Sequence, residues 1–89
     1  MEILKKKGNI EKFNEDKLKT SILNAARDSD NPLNESDINS ISKDIVDTLK
    51  KLNKNYTSSY EIFGITVNSL KKNGFKNIAK QYANHSIDV

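Results

Sequence analysis

The sequence has no cysteine and a single histidine. Without cysteine there is no disulfide, no thiolate nucleophile and no zinc ribbon, and one histidine does not by itself make a metal site. No run approaches the roughly 20 apolar residues needed to cross a bilayer, and no apolar leader segment follows the charged first residues, so a cytoplasmic location is expected. Catalytic signatures are missing too. There is no Gly-x-Ser-x-Gly elbow, no Gly-rich phosphate loop ending in Gly-Lys-Ser/Thr, and no carboxylate cluster at metal-ligand spacing, which argues against an enzyme.

What is present fits one small folded domain over residues 1–89, with 35% hydrophobic residues and 30% charged residues of both signs. The formal net charge of +3 suits a polyanionic ligand, but 12 acidic residues dilute it, so local clustering matters more than the total.

The densest cluster is the stretch Ile3 to Leu18, which holds a glycine turn, a helix start and five lysines. Ile3-Leu4 and Ile10 to Phe13 flank Lys7-Gly8-Asn9 and predict a hairpin over about 3–13. Asn14 before Glu15 and Asp16 is an N-cap with acids in the first turn, and Leu18, Ile22, Ala25 and Ala26 continue a helix over about 15–27. Asp28 to Pro32 is a loop by composition. Asn34 or Ser36 then caps a helix over about 36–52 with an apolar stripe at Ile38, Ile41, Ile45, Leu49 and Leu52.

Tyr56-Thr57 is a candidate third strand after the break at Asn53-Lys54-Asn55. Ser58 with Glu61 has capping-box spacing and opens a helix over about 59–73, carrying Ile62, Phe63, Thr66, Val67 and Leu70. After Asn73-Gly74, Phe75, Ile78, Ala79, Tyr82 and Ala83 place a fourth helix over about 75–85. The expected fold class is α+β: four helices covered by a small two- or three-stranded sheet, with the hairpin beside the first helix's N-terminus.

Several groups there carry chemistry, each with a plainer alternative. Lys5, Lys6 and Lys7 on the ribbon and Lys17 in the first helical turn could converge on phosphate near free backbone N–H groups; equally, three adjacent lysines protect an edge strand from aggregation. Glu11 could accept hydrogen bonds from ribose hydroxyls or an adenine amino group, or form a cross-strand ion pair. Ser58 and Ser59 could reach a ligand or serve as caps. Tyr56, Tyr60, Phe63 and Tyr82 could stack on a base or fill the core. His85 is expected to be exposed without a ligand.

These residues resemble the ATP-cone, a small regulatory nucleotide-binding domain whose opening pattern is Val/Ile-x-Lys-Arg-Asp/Asn-Gly, four variable residues, Phe, Asp/Asn, two variable residues, Lys-Ile/Leu. Here it reads Ile3-Leu4-Lys5-Lys6-Lys7-Gly8, then Phe13-Asn14 and Lys17-Leu18, with Ser59-Tyr60-Glu61-Ile62 matching the later Ser/Thr-x-x-Ile helix start. The similarity runs from residue 3 to about 83. It implies a four-helix bundle with the hairpin as a lid over ATP or dATP, with or without Mg2+. Such domains occur at the N-terminus of many ribonucleotide reductase large subunits and inside the bacterial repressor of reductase genes.

By position, the resemblance puts Lys5, Lys6 and Lys17 on the phosphates, Glu11 on the nucleoside, Ile3 against the base or ribose, and Ser58 or Ser59 on the far wall. Three positions depart from the pattern: Lys6 replaces arginine and loses its bidentate phosphate geometry, Lys7 replaces Asp/Asn, and Asn84-His85-Ser86 replaces a Tyr-Arg ending.

The expected function is therefore a free-standing, non-catalytic adenine-nucleotide sensor that couples occupancy to oligomerisation or partner binding, in deoxyribonucleotide metabolism or its transcriptional control. The absence of cysteine rules out the intact zinc-ribbon repressor. One alternative is a basic helical nucleic-acid-binding protein using Lys50, Lys51, Lys54, Lys71, Lys72 and Lys76, although only Arg27 offers bidentate base reading. Another is a degenerate cone acting purely as an oligomerisation scaffold.

Overall fold

In a computed structural model, which describes residues 1–4, 8–52 and 55–84, three short strands lie against four helices. The strands are β1 (Glu2–Leu4), β2 (Ile10–Lys12) and β3 (Tyr56–Ser58); the helices are α1 (Glu15–Asp28), α2 (Glu35–Lys51), α3 (Ser59–Lys72) and α4 (Lys76–Ala83). The class is α+β. The hairpin turn at Lys7, the break at Asn53-Lys54, and His85 with Ser86 beside it fall wholly or partly outside the described residues.

The sheet order is β2-β1-β3, with β1 antiparallel to β2 and parallel to β3. The two central-strand pairings have opposite consequences. A tight turn suffices for the antiparallel pair, and Gly8, at φ 91°, supplies the left-handed backbone it needs. The parallel pair requires a long crossover, which α1 and α2 provide. Register sets Ile3 between Glu11 and Thr57 in one row across the sheet. Ile3 and Thr57 are buried against the helices, whereas Glu2, Leu4, Ile10 and Tyr56 are exposed.

The helices start where short polar side chains can accept their free N–H groups. The Asn14 side chain accepts from Lys17 N at 3.1 Å. For α2, Asn34 and not Ser36 is the cap, in a reciprocal box: Asn34 Oδ1 accepts from Asp37 N at 2.7 Å, and Asp37 Oδ2 from Asn34 N at 3.4 Å. α2 therefore begins one residue earlier than its sequence pattern predicts. The Ser58 hydroxyl oxygen accepts from Glu61 N at 3.1 Å.

Two helices end in Schellman motifs. After α3, Gly74 at φ 91° lets Phe75 N reach Leu70 O (2.8 Å) and its own N–H reach Lys71 O (3.1 Å). After α1 the same pair of bonds forms, Asn31 N to Ala26 O and Asp30 N to Arg27 O, with Asp30 taking φ 61° in place of a glycine.

The core joins Ile3 to Leu18, Ile22, Ala25 and Ala26 of α1, Ile38, Ile41, Ile45 and Leu49 of α2, Ile62 and Leu70 of α3, and Ile78, Ala79 and Tyr82 of α4. Two residues expected in these stripes lie outside it. Leu52 is the C-cap of α2 and is exposed, and Ala83, in the last helical position of α4, is also exposed. Both stand at the C-terminal end of their helix, on the apolar face but beyond the last residue that is buried.

Side-chain polar links tie the helices together. Ser42 donates to Glu15 Oε2 at 2.8 Å, joining α2 to α1. Asp44 of α2 accepts from the buried Ser69 hydroxyl at 2.6 Å and from Lys72 Nζ at 3.0 Å, both on α3. The Ser69 hydrogen bond, followed by the bond and charge of Lys72, holds the Asp44 carboxyl below its ordinary value of 3.8, against the opposing effect of burial.

A carboxylate whose pKa is lowered by folding stabilises the fold above its unfolded-state value, and that contribution fades as pH falls through the lower folded-state value. Asp44→Asn should therefore cost about 1 kcal/mol near neutral pH. Its difference from the wild type should shrink below pH 3.8. Urea titrations at both pH values check this; an equal deficit at both would show that the charge is not what matters.

Candidate functional site

The hairpin edge and the start of α1 meet because the chain turns sharply between them. Phe13 N donates to Met1 O at 2.8 Å, extending the β1–β2 pairing by one bond, and Asn14 then caps α1. Lys17 consequently lies in the first turn of the helix, beside β2. Its Nζ lies 3.7 Å from Glu11 Oε1, while Glu11 Oε2 accepts from Asn9 Nδ2 at 2.8 Å. The Lys17 and Glu11 side chains are 51% and 44% exposed, so water screens the pair and it contributes under about 1 kcal/mol.

On the far side of β1, β3 leads directly into α3. Leu4 sits opposite Ser58 in the parallel register, so the end of β1 and the N-terminus of α3 are neighbours. Ser58 is half-buried and caps the helix. Ser59, the next residue, is fully buried, and its hydroxyl has no hydrogen-bond partner among the described residues. Thr57, buried in the row with Ile3, donates to a Glu61 carboxylate oxygen. An open cleft of about 410 Å³ runs along Leu4, Asn55, Tyr56, Thr57, Ser58 and Glu61.

The predicted site residues thus divide. Glu11 and Lys17 are in contact, and Ser58 and Ser59 stand together across β1 from them. Ile3 lies between the two groups, but it is only 2% exposed and packs into the core. Lys5 and Lys6 lie outside the described residues; they follow Leu4, where β1 ends. The aromatic set divides as well: Tyr82 is buried and stacks on Phe63 with ring centroids 5.7 Å apart, while Tyr56 and Tyr60 are exposed.

Sequence reasoning missed three features. Asn9 holds the Glu11 carboxylate, a contact two residues apart that hairpin geometry permits but composition does not announce. The Thr57 to Glu61 bond is likewise visible only once β3 is placed. The third is an apolar trio on the outer sheet face, Leu4, Ile10 and Tyr56, bordering a hollow of about 230 Å³ with Glu2. A signal for it existed: Ile3 and Leu4 are adjacent and apolar, and consecutive strand residues face opposite ways, so one of them had to point outward.

Among the described residues no helix is long and apolar enough to cross a membrane. No curated protein sequence matches the chain significantly. The family model for the ATP cone domain matches residues 1–86, essentially the whole chain. Together with the hairpin, the four helices and the position of Lys17, this match shows that the chain belongs to the ATP cone domain family of nucleotide-binding regulatory modules.

Proposed function

We propose that this protein is an adenine-nucleotide sensor in which ATP or dATP, with or without Mg2+, binds between the N-terminal hairpin and the starts of α1 and α3. The observation that carries this reading beyond family membership is the Ser59 hydroxyl. A buried hydroxyl without a partner is costly and rare, and this one sits in the first turn of a helix whose free N–H groups favour anions.

In this reading Lys5, Lys6 and Lys17 meet the phosphates. Ser58 retains its O–H as a donor while its oxygen caps α3, and Ser59 gains a partner that it lacks among the described residues. Glu11 accepts from the nucleoside. Ile3 is buried against the helices, so a nucleotide reaches it only as the hairpin sheet moves relative to them, which makes the sheet a lid whose position reports occupancy.

A nucleotide that fits one lid position better than the other shifts the population toward it, with coupling of about 1–3 kcal/mol. That shift would control self-association or the docking of a partner protein, in deoxyribonucleotide metabolism or its transcriptional control. The protein performs no chemistry of its own in this role.

Calorimetric titration with ATP and dATP tests the reading, using the wild type and Ser59→Ala. Saturable binding is expected for the wild type. Ser59→Ala should stabilise the free protein by up to about 1 kcal/mol, by removing the unsatisfied group, and weaken nucleotide binding by roughly fivefold. No heat with either nucleotide would end the proposal; a Ser59→Ala variant with unchanged affinity would remove Ser59 from the site.

A further inference from the structure

We infer that Asn73-Gly74, where α3 turns into α4, is a site of self-modification that weakens this corner of the fold: when the corner opens, the Gly74 backbone nitrogen attacks the Asn73 side-chain amide and converts Asn73 to aspartate or isoaspartate. None of these residues belongs to the nucleotide site proposed above.

Asn73 is the one asparagine in the sequence followed by glycine. A glycine nitrogen has no Cβ beside it to obstruct attack on the preceding side chain, and glycine backbone rotates freely. In the step, the Gly74 nitrogen, having lost its proton to hydroxide, bonds to Asn73 Cγ, and the side-chain nitrogen leaves as ammonia. Water then opens the resulting five-membered imide. Attack at Cγ restores the normal main chain and leaves aspartate; attack at the main-chain carbonyl leaves isoaspartate, with the chain running through the side-chain carbons. The balance is water consumed and ammonia released, with no oxidation.

The folded corner keeps the reacting groups apart. Asn73 caps the C-terminus of α3 at ψ 6°, so the Gly74 nitrogen eclipses Asn73's own nitrogen, whereas ring closure requires it on the Cβ side of Cα. Gly74 N–H donates to Lys71 O at 3.1 Å, and the Asn73 amide donates to Ser69 O at 2.8 Å. Rotating ψ breaks the first bond and, because Phe75 N is held on Leu70 O at 2.8 Å, also pulls on the chain that leads into α4. The reaction therefore waits for α4 to undock. α4 has eight residues and no side-chain cap, the kind of element that opens locally before the whole fold does. Asn73 is exposed, so hydroxide and water reach it once the geometry allows.

The product does not fit the corner it leaves. An aspartate there offers only acceptors, where Asn73 gives a donor to Ser69 O and, at 3.4 Å, to Ser69 Oγ. Its charge stands at the negative end of the α3 dipole and one serine away from the Asp44 carboxylate, which accepts from Ser69 at 2.6 Å. Isoaspartate adds a main-chain carbon inside the Schellman motif. Each opening that reacts leaves a corner that opens more readily, so the site records past openings irreversibly.

Peptide mapping by mass spectrometry tests this on the full chain, incubated at mildly alkaline pH with and without denaturing urea and read as amide-to-acid conversion at Asn73. Conversion should be at least about tenfold slower in the folded protein. Ile78→Val removes one buried methyl from α4 and leaves the corner sequence intact. It should speed native conversion by about two- to tenfold and leave the rate in urea unchanged. Asn73→Gln, which would have to close a six-membered ring, should show no measurable conversion, and Asn73→Asp should unfold at a lower urea concentration than the wild type. Rates with and without urea within twofold of each other, no conversion of Asn73 in urea, an Ile78→Val native rate equal to wild type, or an Asn73→Asp variant as stable as wild type would each overturn the proposal.

Discussion

Replacing Tyr82 with alanine should destabilise the protein by about 3–5 kcal/mol, the range for deleting a large buried aromatic side chain. Tyr82 is 2% exposed and sits where α4 meets α1 and α3. Its ring stacks on Phe63 of α3, and its hydroxyl lies 3.2 Å from Ser21 Oγ of α1, so one side chain links three helices. α4 has eight residues and no side-chain cap, too short to persist without this docking. Small domains have only about 5–15 kcal/mol of stability in all, so the variant should unfold at a much lower urea concentration, with α4 losing amide protection first.

Tyr82→Phe separates the ring from the hydroxyl. It should cost about 1 kcal/mol, for one hydrogen bond, and it should also alter the alkaline limit. Burial raises the Tyr82 pKa above its ordinary 10.0, with bonds to Ser21 and Thr66 opposing. The neutral phenol is thus the form the fold prefers, and stability is lost as pH rises above the unfolded-state value and the unfolded chain ionises. Wild type should weaken above pH 10.0 relative to Tyr82→Phe, which has nothing to ionise there. An alanine variant losing less than about 1.5 kcal/mol would mean that α4 is held by something other than this residue.

The elements around Tyr82 were legible in the sequence because their signals are local. Asn14 before Glu15 and Asp16, the Ile38, Ile41, Ile45, Leu49 stripe, and Ser58 three residues before Glu61 each predict a helix from residues within about three turns. The links that lock those helices are not local. Ser21 with Tyr82, Asp44 with Ser69 and Ser42 with Glu15 are 61, 25 and 27 residues apart, and no periodicity marks a serine as half of such a pair. The end of α1 was obscured differently: Asp30 takes the left-handed position that glycine usually holds, so the stretch from Asp28 to Pro32 reads as undirected loop.

At the candidate site the hairpin, the α1 cap and Lys17 were readable as a spaced pattern. The burial of Ser59 was not. A serine at a helix start is an ordinary exposed cap in most sequences, and this one is enclosed because β3, its immediate predecessor, pairs with the central strand and draws the helix N-terminus under the sheet.

The double substitution Lys5→Ala with Lys17→Ala should weaken ATP and dATP binding by about 100-fold or more. Each lysine–phosphate contact is a charge-assisted hydrogen bond of about 1.5–3 kcal/mol, so losing two reaches that factor. Lys17→Ala should be the more damaging of the pair, because it removes a cation and also leaves Glu11 without the partner it has at 3.7 Å, so an unneutralised carboxylate faces the phosphates. Stability should change little, since the lost ion pair is half exposed. Adding Glu11→Gln to Lys17→Ala should therefore recover part of the affinity for inorganic tripolyphosphate, although no cation has been restored, while ATP binding stays weak because the nucleoside contact is lost as well. Titration of the single, double and combined variants at two salt concentrations separates these effects, because contacts made by exposed lysines weaken as salt rises. Nucleotide affinity within threefold of wild type in the Lys5/Lys17 double variant would show that these lysines serve the hairpin edge and not a ligand, and the phosphates would then have to be sought at the α3 N-terminus by itself.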